Sequence, residues 1–421
     1  MPPVSSVRPR VAFAADSAQT SRVTPPRTGY FTGTYRSAVD DSTQPFAAWV
    51  PRTYSRRRAY PLVVMLHGMD GDERMIPGQC FRMHERGFRE DVIVVSPFGR
   101  GDIGFRYMGE TDFWDVVNWV RDRYRVDARR QYLTGLSMGG FATWRLACKY
   151  PAQWAAVAPI CGGGHRAALK SLRRVPVWCV HGDLDELVPV ERSRRLVDEL
   201  RRLKFTVRYD ELAGWGHHSW EWLYNPERSR DSLVDWFLEH RRPVPAPRVR
   251  APRAEPGFKN LFHDRLIISH PSASPVPREA GLLRAEAQRI AEFRFGDYPM
   301  KSGRLLVKTD AEVTRADLQG ASHLMLGRTD NHRWLKAASR KLVARHARGL
   351  LWAGGRSYIG KTLIAATRQQ SPWNAGRQLG VMTYQQVNLM DGAAELFCGW
   401  QHELADLNLY DAQSARFVLK A

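Results

Sequence analysis

The feature that most constrains the fold is a series of short apolar runs, each ending at a glycine or a turn. "YPLVVMLHG" (60–68), "DVIVVSPFG" (91–99), "RRQYLTG" (129–135) and "VPVWCVHGD" (175–183) are strand-like runs, three of them almost continuously apolar. A strand that is apolar at every position is buried on both faces, as in a parallel sheet. "WAAVAPICGG" (154–163) and "FTVRYDEL" (205–212) add two more strands, and 29–51 reads as a hairpin or meander. Between or after the strands lie "TDFWDVVNWVRDRY" (111–124), "GGFATWRLACKYP" (139–151), "VERSRRLVDELRRL" (190–203) and "SRDSLVDWFLEHRR" (229–242), all with helical spacing. Thr111 is the expected N-cap of the first of these. Strands alternating with helices predict a mostly parallel, doubly wound α/β sheet. In such sheets ligands bind beyond the carboxyl ends of the strands, so functional residues are expected just after them.

"RRPVPAPRVRAPRAEPG" (241–257) holds five prolines in seventeen residues. This composition predicts a semi-rigid extended linker. It divides the chain into an expected catalytic domain at 29–242, a linker at 243–257 and a smaller C-terminal α/β module at 258–421. In that module "DRLIISHP", "SGRLLVKTD" and "ASHLMLG" read as strands. "PREAGLLRAEAQRIAEFRF" (277–295) and "NHRWLKAASRKLVARHAR" (331–348) read as amphipathic helices, the second with a basic face. Residues 1–28 have the Pro/Ser/Thr/Arg composition of a disordered leader. Their Ala12-Phe13-Ala14 triplet resembles a signal-peptidase site, but the apolar patch before it is short for a signal peptide. A cytoplasmic and an exported location both stay open.

The formal net charge of +20 comes mainly from scattered arginine. No nucleic-acid-binding motif accompanies it, so no specific nucleic-acid site is expected. No apolar run approaches the length of a membrane span. The five cysteines form no CxxC pair or zinc spacing, which argues against a metal site or a disulfide-built fold.

Three chemically capable groups follow strands in the first domain. Ser137 follows "QYLTG", Asp183 and Asp185 follow "VPVWCVHG", and His217 and His218 follow "YDELAGWG". A serine hydroxyl is a poor nucleophile near neutral pH. It needs a base within hydrogen-bond reach, and that base needs an acceptor on its other nitrogen. Gly135-Leu136-Ser137-Met138-Gly139 is a G-x-S-x-G elbow between a strand and a helix. It would aim the Met138 N–H at the pocket as one oxyanion donor. The turn "LHGMDGD" (66–72) follows an earlier strand and offers the Met69 N–H as the second. Asp183 reads as a turn-shaping residue, His218 as a rim residue, and His67 and His181 as structural, with support of the oxyanion turn as the other reading of His67. Cys161 reads as a core thiol. Trp215, Trp220 and Trp222 crowd the histidine turn. Trp215 and Trp220 are candidates for an aromatic pocket wall, against simple packing of the loop.

"YLTGLSMGGFATWRLACKYPAQWAAVAPICGGG" resembles the nucleophile region of bacterial α/β-hydrolases of the prolyl oligopeptidase-like and polyhydroxybutyrate-depolymerase or feruloyl-esterase-like groups. "HGDLDELVP" is similar to their acid turn and "GWGHHSWEW" to their histidine turn. The resemblance spans about 45–240. It implies an α/β-hydrolase fold, with Asp185 rather than Asp183 as the acid and His217 as the base. It implies a serine hydrolase acting on small-molecule or polymer-linked esters, with no cofactor and no metal. A serine peptidase and a non-catalytic binding protein on the same scaffold remain the alternatives. No chemical constellation is evident in 258–421, and oligomeric state is not legible.

Overall fold

The computed structural model describes residues 27–225, 228, 232–249, 252, 256–292, 294–295, 298–301, 303–347, 350–398 and 404–421. The leader expected at 1–28 thus lies almost wholly outside the described residues. The first unit is built on an eight-stranded sheet. Its strands are β1 (Gly29–Arg36), β2 (Thr43–Val50), β3 (Tyr60–Leu66), β4 (Ile93–Pro97), β5 (Val126–Leu136), β6 (Ala156–Ile160), β7 (Val177–Gly182) and β8 (Val207–Leu212). Their spatial order is β1-β2-β4-β3-β5-β6-β7-β8. The β1–β2 and β2–β4 pairs are antiparallel, and every pair from β4 to β8 is parallel.

Helices of this unit are α1 (Met83–Arg86), α2 (Met108–Arg123), α3 (Met138–Lys149), α4 (Glu191–Arg202), α5 (Trp220–Leu223) and α6 (Leu233–Leu238). α2, α3 and α4 share a core with Leu62, Val64 and Leu66. α1, α5 and α6 pack on the opposite face with Val63 and Met65. Coverage of both faces is why β3, β4 and β7 are buried at every residue. The chain leaves β3 for β4 on one side and returns to β5 on the other. The carboxyl ends of β3 and β5 are therefore neighbours, with Leu66 opposite Gly135. This is the topological switch point, where doubly wound sheets open a crevice.

The later residues form β9 (Leu266–His270), α7 (Glu279–Ala291), β10 (Arg294–Phe295), β11 (Tyr298–Pro299), β12 (Leu306–Thr309), α8 (Arg315–Gly320), β13 (Ser322–Leu326) and α9 (Arg333–Ala338). They continue through β14 (Ala344–Ala347), β15 (Leu350–Ala353), β16 (Arg356–Ile359), β17 (Leu363–Gln370), β18 (Gln378–Tyr384), α10 (Ala393–Cys398), β19 (Leu407–Asp411) and β20 (Arg416–Lys420). Seven strands make a mixed sheet in the order β12-β9-β13-β18-β17-β19-β20, parallel from β12 to β18 and antiparallel beyond.

Two local expectations are corrected. Thr111 is not an N-cap: α2 starts at Met108, and the Thr111 hydroxyl donates to the His263 carbonyl at 2.7 Å. The helix expected over 331–348 stops at Ala338, and Ala344–Ala347 pairs with β15 as a strand. Its basic residues therefore share no single helical face. The segment after residue 241, expected as a semi-rigid extended linker, is bonded along the first unit. The Ala246 N–H donates to Ala128 O at 2.7 Å, and Asn118 and Gln153 donate to Val249 O and Pro247 O.

The two parts share a core. Val39, Ile103 and Met108 of the first pack in one cluster with Phe258, Phe262, Leu266 and Met300 of the second. Beside it lies Arg100, fully buried, bound to both oxygens of Asp40 at 2.6 and 2.9 Å, to Ser37 Oγ at 2.9 Å and to Asp112. A guanidinium without water is tolerated only when its donors are met in this way.

Glu110 ties α2 to α3 through Arg145, Lys149 at 2.9 Å and the Tyr150 hydroxyl at 2.6 Å. Burial alone would raise its carboxyl. The Arg145, His263 and Lys149 charges and the Tyr150 hydrogen bond outweigh burial and hold it at about 2. A depressed carboxylate adds stability that is present above its unfolded pKa and is lost as pH falls through the folded one. Glu110→Gln is therefore expected to destabilise the protein at neutral pH by roughly 3 kcal/mol. The gap from wild type, read by urea denaturation, should close as pH falls from about 4.5 toward 2.

Candidate active site

Ser137 stands at the switch point, between β5 and α3. Its backbone is held at φ 52° and ψ −117°, a strained conformation for a residue with a Cβ. The Ser137 N–H lies 3.0 Å from Ile160 O and 3.2 Å from Cys161 Sγ, and Ser137 O accepts the Phe141 N–H as the helix begins. The glycines after it are steric requirements. A Cβ at Gly139 would lie 2.0 Å from Leu66 O, and one at Gly140 2.2 Å from Ile160 O. The helix can thus start almost in contact with the ends of β3 and β6.

Asp185 comes from the turn after β7 and His217 from the turn after β8. His217 Nε2 lies 2.9 Å from Ser137 Oγ, and His217 Nδ1 lies 2.8 and 3.0 Å from the two Asp185 oxygens. Asp185 is nearly inaccessible. Its Oδ1 accepts the N–H groups of Leu187 and Val188 at 3.0 and 2.8 Å. Its Oδ2 lies 3.1 Å from His181 Nε2. Burial lowers the His181 pKa and favours the neutral ring. His181 Nε2 faces two acceptors, Asp185 Oδ2 and Val188 O, so it carries the hydrogen; Nδ1 is 2.7 Å from Ser193 Oγ. The sequence reading of His181 as structural missed this contact with Asp185. The i,i+4 spacing within one turn was the available signal. Asp183 instead accepts the Gly214 N–H at 2.8 Å and shapes the neighbouring turn. His218 is exposed.

Met138 is the first residue of α3. Its N–H is one of the first-turn donors that no helical carbonyl can reach, at the positive end of the helix dipole. Met69 lies in the turn after β3 and packs against the same core as Met138. The two turns run side by side: a Cβ on Gly68 would sit 3.6 Å from Ser137 Cβ. Buried His67 lies 2.7 Å from Gly68 O and 2.8 Å from Phe98 O. Its burial lowers its pKa, against the two carbonyl contacts, which favour the charged ring.

Trp220 is buried and meets the His217 ring edge-on at 5.4 Å. With Cys80, Phe81, Phe88 and Tyr224 it lines a cleft of about 990 Å³. Trp215 and Trp222 are half-buried against the same core. Among the described residues, one group has ligand spacing for a metal: Cys161, Asp185 and His217. Both His217 ring nitrogens are already engaged by Asp185 and Ser137. Burial pushes the Cys161 thiol far above its ordinary value, keeping it a thiol. These atoms suit the Ser137–His217–Asp185 chain better than an ion. No described helix is long and apolar enough to cross a membrane.

A parallel sheet carrying a strand–serine–helix elbow at its switch point defines the α/β-hydrolase class. Residues 41–228, under half of the chain, match the family model described as "Putative esterase", and this segment is similar to α/β-hydrolases of that esterase group. Relatives include the bifunctional acetylxylan esterase/xylanase XynS20E of Neocallimastix patriciarum, 31% identical over 34% of this chain and 22% of the relative. Feruloyl esterase D of Neurospora crassa is 23% identical over 47% of this chain and 71% of its own. Poly(3-hydroxyalkanoate) depolymerase C of Paucimonas lemoignei is 39% identical over 26% and 29%. The chain thus spans less than a third of the first and third of these.

The Gly139 contact is directly testable. Gly139→Ala is expected to force α3 from the end of β3 and to destabilise the fold by about 1–3 kcal/mol or more. Thermal denaturation reads the loss, and an unchanged Tm would contradict the close approach.

Proposed function

We propose that the protein hydrolyses carboxylic esters through a covalent acyl-serine intermediate. One observation carries the reading: the unbroken hydrogen-bonded chain Ser137 Oγ–His217 Nε2 and His217 Nδ1–Asp185. Its setting in an esterase-group domain supports it. The Ser137 oxygen attacks the acyl carbonyl carbon while its proton passes to His217 Nε2. Asp185 accepts the Nδ1–H and stabilises the imidazolium. The carbonyl oxygen, now carrying the charge, is bound by the N–H groups of Met138 and Met69, each donor worth about 2.7–4 kcal/mol in the transition state. The C–O bond to the alcohol breaks, and the alkoxide leaves with the proton from His217. A water molecule then repeats the sequence on the acyl-serine and returns Ser137 to its starting form.

Xylan-linked acetyl groups, feruloyl groups and hydroxyalkanoate polyesters are named in the relatives' own descriptions. They point to an ester borne on a polymer or its fragments. A fluorophosphonate probe is expected to label Ser137 and to leave Ser137→Ala unlabelled, with both proteins giving the same circular dichroism. Labelling that persists in Ser137→Ala would contradict the assignment of the nucleophile.

Against acetylated xylan, a feruloyl ester and a polyhydroxyalkanoate, turnover should appear on at least one. On that substrate kcat should fall about a millionfold in Ser137→Ala. In Asp185→Asn it should fall about 10⁴-fold, because the amide favours the wrong imidazole tautomer.

A further inference from the structure

The turn that carries Met69 is braced from outside the first unit. Asp70, the next residue, has a left-handed backbone (φ 58°), and its N–H donates to Asp102 Oδ1 at 2.9 Å. This bond orients the peptide that follows Met69. Asp102 is almost fully buried, in the loop after β4. Its other oxygen, Oδ2, lies 2.7 Å from Lys301 Nζ, which also reaches Asp70 Oδ1 at 3.4 Å.

Lys301 belongs to the later part of the chain, between β11 and β12. Its backbone is docked as firmly as its head. The Lys301 N–H donates to Arg100 O at 3.0 Å, and Met300 forms an antiparallel bridge with Gly101. Gly101 has φ 79°, and a Cβ there would lie 2.8 Å from the Lys301 stem. Behind this contact Met300 Sδ touches buried Arg100 at 3.6 Å. A buried carboxylate that must hold a backbone N–H in place needs a counter-charge, because an unpaired one is costly. The lysine supplies it.

From this juxtaposition we infer that Lys301 is a positioning residue for the oxyanion turn: through Asp102 and Asp70 it sets the Met69 N–H, so the C-terminal half of the chain completes the active site of the N-terminal half. The inference rests on the reading of Met69 as an oxyanion donor. Lys301 touches no reacting atom. Its effect falls on transition-state binding and not on ground-state binding, since small misplacements of such groups cost up to about a hundredfold in rate.

The test uses the full chain and p-nitrophenyl acetate. Lys301→Met keeps most of the stem and removes the charge. It is expected to lower kcat tenfold to a hundredfold with KM within twofold of wild type, and Lys301→Arg should restore kcat to within threefold. Hydrogen exchange of the backbone over 66–72 should quicken in Lys301→Met, with exchange over β6 and β7 unchanged. Should Lys301→Met not fold, Lys301→Met combined with Asp102→Asn leaves no lone buried charge and carries the same expectations. A kcat within twofold of wild type in Lys301→Met, or a Lys301→Arg as impaired as Lys301→Met, overturns the inference. The hydrolase reading fails separately, if wild type and Ser137→Ala turn over the ester alike. The exchange over 66–72 then still decides the brace, and unchanged protection there overturns it.

Discussion

The whole site depends on one close approach, the start of α3 lying against the carbonyl ends of β3 and β6. Only a residue without a side chain fits at Gly139 and Gly140. That absence lets the helix begin one residue after the serine and leaves Ser137 in its strained backbone at the crevice. The parallel register of β3 and β5 does the rest. It sets the Met69 turn beside the elbow, so two turns far apart in the chain meet at Ser137. Asp185 and His217 arrive by the same logic from the turns after β7 and β8. Backbone topology places all four groups, and side-chain hydrogen bonds refine them.

Much of this was legible in the sequence, for identifiable reasons. β3, β4 and β7 are buried on both faces, so their apolar runs stand out from any half-exposed strand or surface helix. The elbow carries its own steric signature in its glycines. Asp185 was separable from Asp183 only through the resemblance of its turn, since composition favours neither; the structure gives Asp183 a different partner, the Gly214 N–H. The region 331–348 misled because its spacing suits a helix, while the pairing of Ala344–Ala347 with β15 is a long-range fact that periodicity does not carry. Thr111 misled in the same way. Its hydroxyl answers to a carbonyl at position 263, which no local reading of an N-cap could include.

Buried charge is the least legible part. Arg100, Asp40, Asp112, Glu110 and Asp102 look in sequence like ordinary surface residues among many others in a strongly basic chain. Their roles come from where the loops after β1 and β4 are folded back, and from which partner waits there. Each is held by several hydrogen bonds at once, so each pins the relative positions of at least two segments. Glu110 fixes the helix behind the nucleophile, while Arg100 fixes the loop that receives Met300. The linker region contributes in the same direction, because its backbone is bonded to the first unit at Arg242, Ala246, Pro247 and Val249.

The shared core and the bridge at Gly101 have a consequence in time as well as in space. Asp70 and its partner Lys301 are separated by 231 positions. At typical rates of protein synthesis that interval is on the order of tens of seconds. Through the later part of that period, once β5 and the elbow have been made, a nascent chain carries an apolar surface around Val39, Ile103 and Met108 but not the segment that covers it. The first unit is then a folding intermediate with an exposed patch. A chain halted between the two parts would keep that patch exposed and lack the Lys301 contact with Asp102.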